Sequence, residues 1–127
     1  LITSRKKAYL AAKIAQDKKV KDLTILDMRK VCNFCNYFVV LTVRSNPQSQ
    51  AVKDAVSEGF TQQGIAYRIN GNNSDWVLID SYDVVVHIFD ENARDFYSLE
   101  RLWQNASQLK LPSSVKNGPK KVRRKPR

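Results

Sequence analysis

Residues 76–89 read Trp76-Val77-Leu78-Ile79-Asp80-Ser81-Tyr82-Asp83-Val84-Val85-Val86-His87-Ile88-Phe89. Two runs of branched and aromatic residues flank a polar Asp-Ser-Tyr-Asp break, which is the pattern of two strands joined by a turn. Strand alternation sends Trp76, Leu78 and Asp80 to the face opposite Val77 and Ile79. Upstream lie an Asn-rich loop over 70–75, a short strand from Ile65 to Ile69, and Gly64, a natural helix stop. The helix that ends there opens at Ser45, which with Gln48 matches a capping box, and Pro47 sits in the first turn where no amide donor is needed. Ala51, Val52, Ala55, Val56 and Phe60 line one face of it. Earlier still, Asn36 to Arg44 and Leu23 to Met28 read as strands connected through 29–35. Ala8, Ala11, Ala12 and Ala15 recur at helical spacing and predict a helix over 5–18. Downstream, Asp90 or Asn92 can cap a last helix whose buried stripe is Phe96, Leu99, Leu102 or Trp103, and Ala106. The order αββαβββα predicts a single α/β domain, a mixed sheet of about five strands with flanking helices.

The 127 residues are 43% apolar and 27% charged, ordinary for one globular domain. The longest apolar runs, Phe38 to Leu41 and Val84 to Val86, fall far short of the roughly 18 residues that cross a bilayer. The net charge of +10 is unevenly spread. Residues 1–109 hold 14 basic and 12 acidic side chains, whereas 110–127 carry eight cations (Lys110, Lys116, Lys120, Lys121, Arg123, Arg124, Lys125, Arg127) and no acid. That segment also holds three of the four prolines, so it buries too little surface to offset its ordering entropy. A domain over 1–109 and a basic tail over 110–127 follow. Basic arms of this kind commonly meet nucleic acid, and ribosomal RNA would suit Lys120, Lys121, Arg123, Arg124, Lys125 and Arg127. An Arg-bearing, acid-poor start also fits an organellar transit peptide, but the helix reading is preferred because a strand follows at once.

Catalytic equipment is sparse. Gly59, Gly64, Gly71 and Gly118 are too scattered for a phosphate-cradling loop. His87 is the single histidine and sits within a strand, so a two-histidine metal site is impossible and a serine–histidine nucleophile has no strained elbow to expose it. Cys32 and Cys35 have redox or zinc-knuckle spacing, but no second ligand pair exists. A redox pair would normally begin a helix, and here a strand follows. Two small apolar residues at a packed connection is the favoured reading, in a reducing compartment. Asp27, Asp80 and Asp83 fall at strand ends, where a nucleotidyltransferase would hold magnesium, yet the phosphate-gripping Gly-Ser turn of that class is missing. Asp80 and Asp83 more simply anchor the Ser81–Tyr82 turn. No cofactor or metal is called for. Trp76, Tyr82 and Tyr97 are amphipathic rings close to charge, as interface anchors are.

Four stretches resemble the ribosomal silencing factor family, RsfS, also called Iojap. They are Lys18-Lys19-Val20-Lys21-Asp22-Leu23 with Leu26-Asp27; Tyr37-Phe38-Val39-Val40 and Thr42 with Ser45, Gln48 and Ala51; Trp76, Leu78, Asp80 and Asp83-Val84-Val85-Val86-His87 with Phe89; and Arg94, Tyr97, Leu99-Glu100 and Leu102-Trp103. Together they span about residues 5–105. The resemblance implies a fold like a degenerate nucleotidyltransferase and a binder, not an enzyme. It further implies a translation repressor that docks on the large ribosomal subunit at ribosomal protein number fourteen and blocks subunit joining. Trp76, Ser81 and Tyr82 would meet the partner, and Asp83, His87 and Tyr97 would shape or line the same surface. A bacterial cytoplasm is the expected setting, with mitochondria and chloroplasts also in the family's range, and such a patch can also meet a second copy of the chain. A metal-dependent nucleotidyltransferase and a general RNA-binding module remain the alternatives.

This chain departs from the family pattern at three places. Asn36 stands where an acid usually precedes the Tyr-Phe pair, Thr42-Val43 replaces a Thr-Gly pair, and Ser81-Tyr82 replaces an apolar residue followed by Gly. If the turn demands a positive φ, Tyr82 is strained there by about 1–2 kcal/mol.

Overall fold

The structure is a computed structural model that describes residues 2–71, 75–91, 93, 106–109 and 111. Among these, two helices and six strands follow in the order α1 (Ser4–Asp17), β1 (Lys21–Asp27), β2 (Tyr37–Val43), α2 (Asn46–Gln62), β3 (Arg68–Asn70), β4 (Trp76–Asp80), β5 (Val84–Asp90) and β6 (Ser107–Leu109). The six strands form one mixed sheet in the order β3-β4-β5-β2-β1-β6. Only β2 and β5 run parallel, and they take the centre, where a crossover connection is needed. That connection is α2 followed by the β3–β4 pair.

Local chemistry accounts for the helix ends. Thr3 Oγ1 accepts the amide of Lys6 at 3.2 Å and caps α1. Ser45 Oγ accepts the amide of Gln48, also at 3.2 Å, and caps α2. The Gln48 side chain reaches back to the Arg44 amide with Oε1 and, through Nε2, donates to the carbonyls of Lys18 and Lys19. The expected capping box therefore also ties the start of α2 to the end of α1. Ala8, Ala11, Ala12 and Ala15 are all buried; their small side chains let α1 lie close on the sheet. Gly59 does the same between the helices, since a Cβ there would overlap Ile14 Cδ1.

The sheet has two differently covered faces. Tyr37, Val39, Leu41 and Val43 of β2, Val77 and Ile79 of β4, and Val84, Val86 and Ile88 of β5 meet the helices and Phe60 in the main core. Truncating Phe60, which is fully buried, to alanine would cost about 3–5 kcal/mol. The opposite face carries a second cluster of Leu26, Met28, Cys35, Val40, Phe89 and Ala93, with Phe38, Trp76 and Cys32 packed against it.

Two expectations need correction. The sheet has a sixth strand, because Ser107–Leu109 pairs antiparallel with Ile25–Asp27 of β1. The strand placed at 65–69 is Arg68–Asn70; Ile65 is buried in the core and Tyr67 packs against it from the connection. Asp90 Oδ1 accepts the amide of Ala93 at 2.7 Å, the capping contact expected of it. The stripe Phe96, Leu99, Leu102 and Trp103 lies outside the described residues, as do Tyr97 and the cations of the tail.

Candidate functional site

The face of the sheet that turns away from α1 and α2 is built in cross-strand rows. Asp80 pairs with Val85, which pairs with Phe38, which pairs with Leu26. Leu78 pairs with His87, and His87 with Val40. Trp76 pairs with Phe89, and Phe89 with Thr42. Phe38, Trp76, Leu78 and Val85 are half-buried, so this face has a strip of apolar side chains partly within reach of solvent.

Aromatic rings order its centre. His87 lies 4.4 Å from Phe38, ring to ring, and 6.1 Å from Trp76, while Trp76 lies 4.8 Å from Phe89. Trp76 Nε1 donates to His87 Nδ1 at 3.2 Å, which puts the imidazole hydrogen on Nε2. His87 is only 6% exposed. Burial pushes its pKa down to about 3, because a charged ring would lose its hydration there. The ring is thus neutral at neutral pH and acts as a fixed acceptor that orients Trp76. Truncating Trp76 would cost stability as well as surface, since it packs on Phe89 and on the second cluster.

The turn at the far end of β4 presents Tyr82. Its backbone takes φ +74°, the strained condition that the missing glycine raised. The residue is 61% exposed. Asp80 Oδ1 accepts the Tyr82 amide at 2.9 Å. Ser81 donates both its amide and its hydroxyl to the Val84 carbonyl, at 3.0 and 2.9 Å, and its own carbonyl accepts the Asp83 amide at 3.0 Å. Lys7 reaches in from α1 and donates to Ser81 O at 3.1 Å and Asp83 Oδ1 at 2.5 Å. Ser4 donates to the other Asp83 oxygen and accepts from Asn36 Nδ2. Burial alone would raise the Asp83 pKa, but the bonds from Lys7 and Ser4 outweigh it and hold the carboxyl below its ordinary range. Asn36 is part of this clamp.

The six residues singled out from sequence therefore separate. Tyr82 is exposed and Trp76 half-buried, and they stand at opposite ends of β4, about 20 Å apart at roughly 3.3 Å per residue. Ser81 is fully buried and His87 nearly so. Asp83 faces α1 through its ion pair with Lys7. Tyr97 lies outside the described residues. Sequence reasoning overlooked Phe34, 86% exposed, and the half-buried Phe38 and Val85 that share a face with Trp76 and Leu78; alternation within β2 and β5 was the available signal.

Asp27, Asp80 and Asp83 are each engaged by cations or amides of the chain itself. Asp27 makes a two-pronged contact with Arg29, at 2.9 and 2.6 Å, and Asp80 faces Arg68 at 3.7 Å.

The chain is a small α/β domain with a half-buried apolar strip and a clamped turn that exposes an aromatic ring. The chain matches the family described as "Ribosomal silencing factor during starvation" over residues 2–127. It is 34% identical over 99 residues to the ribosomal silencing factor RsfS of Bacillus subtilis, covering 76% of this chain and 84% of that one. It is also 34% identical over 106 residues to the chloroplastic protein Iojap of Zea mays, covering 83% of this chain and 46% of the maize protein. A crystal structure of a Chromobacterium violaceum protein superposes with a TM-score of 0.77 at 30% identity, covering 94% of this chain and 98% of that one. The chain belongs to the ribosomal silencing factor (RsfS/Iojap) family.

Proposed function

We propose that this chain represses translation by docking on the large ribosomal subunit, at ribosomal protein number fourteen, and sterically blocking subunit joining. The span from the half-buried strip of Trp76, Leu78, Val85 and Phe38 to the exposed Tyr82 of the turn after β4 is the feature that carries the reading. Its length of about 20 Å suits one side of a standard interface of about 800 Å² per partner. In this reading Trp76 and Tyr82 make the contacts, while Ser81, Asp83 and His87 position them, and Tyr97 shapes the same surface. The mechanism needs no catalytic group, metal or cofactor. Two partners compete for one surface, so affinity and concentration set the block. The setting is a bacterial cytoplasm, with an organelle as the alternative that the chloroplastic relative suggests.

Nucleotidyl transfer finds no comparable support, because Asp27, Asp80 and Asp83 are taken up by Arg29, Arg68 and Lys7. Cosedimentation with separated ribosomal subunits tests the proposal. Binding is expected to the large subunit alone and to weaken at least tenfold in Tyr82→Ala, whose side chain is exposed and whose removal spares the core. Trp76→Ala should weaken it by about 2 kcal/mol or more, read on the folded fraction. Wild-type affinity in folded Tyr82→Ala and Trp76→Ala variants, or binding to the small subunit, would refute the assignment.

A further inference from the structure

The connection between β1 and β2 contains two thiols that ribosome docking does not use. Met28 accepts the amides of Val31 and Cys32 at 3.0 and 2.8 Å, and its own amide donates to Asn36 O at 2.8 Å. Residues 28–36 thus form a loop tied at both ends. Within it the Cys32 and Cys35 sulfurs lie 2.7 Å apart, against about 2.05 Å for an S–S bond, and both are free thiols. Closing the bond asks for little more than a small side-chain shift.

The two sulfurs are not equivalent. Cys32 is half-buried, whereas Cys35 is 4% exposed and packs with Leu26, Met28, Val40 and Phe89. Cys35 donates its S–H to Cys32 Sγ. We propose that Cys32 and Cys35 form a thiol–disulfide exchange site for low-molecular-weight disulfides, with Cys32 the attacking and Cys35 the resolving sulfur. This does not depend on the ribosomal reading.

Thiol acidities run the same way. Burial works to raise the Cys32 pKa, but the Cys35 S–H and the amides of Phe34 and Cys35 outweigh it and leave it below the ordinary value. Burial, the neighbouring Cys32 and the Asp80 charge push Cys35 up to about 12. A redox pair usually draws this asymmetry from a helix terminus. Here the amides of Phe34 and Cys35 act on Cys32 in place of a helix terminus.

The chemistry balances with the small disulfide as oxidant. Cys32 thiolate attacks one sulfur of RSSR, the S–S bond breaks, and RS⁻ leaves and takes a proton. Cys35 then loses its proton to water and attacks Cys32 Sγ, forming the Cys32–Cys35 bond and releasing the second RSH. One disulfide is reduced to two thiols and two protein thiols become one disulfide.

Treating the full chain with oxidised glutathione, followed by alkylation and mass analysis, tests this. The wild-type chain should lose two hydrogens, with one disulfide inside the peptide that contains Cys32 and Cys35. Cys35→Ala should stop at one glutathionyl group on Cys32, and Cys32→Ala should react at least tenfold more slowly. Circular dichroism of the variants verifies that they fold, and the wild-type result decides independently of them. Two thiols that stay fully alkylatable, an adduct formed first on Cys35, or disulfides only between chains would overturn the proposal.

Discussion

Lowering the pH from about 7.5 to about 5 should cost the folded chain about 2 kcal/mol of stability through one side chain, His87. In the unfolded chain its imidazole titrates near the ordinary 6.5, while burial beneath Phe38, Trp76 and Phe89 holds it near 3 in the fold. Well above pH 6.5 neither state binds a proton there, and the native contribution is complete. Below it the unfolded ring gains a proton that the native ring refuses, so stability falls by about 1.4 kcal/mol per pH unit until the native ring itself protonates near 3. Any folded value below about 4 gives the same result, because at pH 5 the native ring is neutral in either case. The chain has one histidine, so no other imidazole shares the window. Asp27 and Asp83, both held below the ordinary carboxylate range, act in the same direction, but mainly as pH falls below about 4.

Urea unfolding in steps of about half a pH unit measures the effect. With m of about 1–2 kcal/mol/M, the midpoint should drop by about 1–2 M between the two ends. His87→Phe keeps an aromatic body in the cluster and should flatten the dependence above about pH 5, whatever its own stability. A wild-type chain with no slope between about 5 and 6.5, or a His87→Phe variant with the same slope, would refute the burial of a neutral ring beneath Trp76.

Three further outcomes follow from the turn and the tail. Tyr82→Gly should be more stable than Tyr82→Ala by about 0.5–1 kcal/mol, the relief of a left-handed alanine less the extra entropy of glycine; equal thermal midpoints would show that the turn relaxes. Asp83→Asn should lose about 2 kcal/mol, a half-exposed version of breaking a buried pair, because it leaves Lys7 without its counterion; chemical denaturation reads this directly, and an unchanged midpoint would contradict the clamp. Deleting 110–127, proposed here as the RNA-contacting segment, should make large-subunit binding less salt-dependent, since a chain that neutralises fewer phosphates releases fewer counterions; an identical slope of log affinity against log salt would show that the tail does not touch RNA.

What could be read from the sequence was whatever is periodic or local. Period-two alternation gave the two faces of β4, and the caps at Ser45 and Asp90 are contacts between residues three apart. By contrast, Ser107–Leu109 has no apolar run, and its strand character comes only from hydrogen bonding to β1, some eighty residues earlier. The burial of Ser81 and His87 was equally hidden, because it depends on what packs over a residue rather than on its neighbours in the chain. The turn brings the two kinds of information together. A missing glycine signalled strain at Tyr82, but a left-handed tyrosine persists only where its surroundings over-determine it. Those surroundings are the two bonds from Ser81 to Val84, the Asp80 bond to the Tyr82 amide, and the hold of Lys7 and Ser4 on Asp83. Lys7 and Asp83 are 76 residues apart in sequence, so α1, distant in sequence from the proposed interface, holds the backbone of the turn that carries the exposed ring. Loosening that clamp should therefore weaken docking even with Tyr82 intact, since a ring that must be ordered on binding adds about 0.5–1.5 kcal/mol to the cost of association.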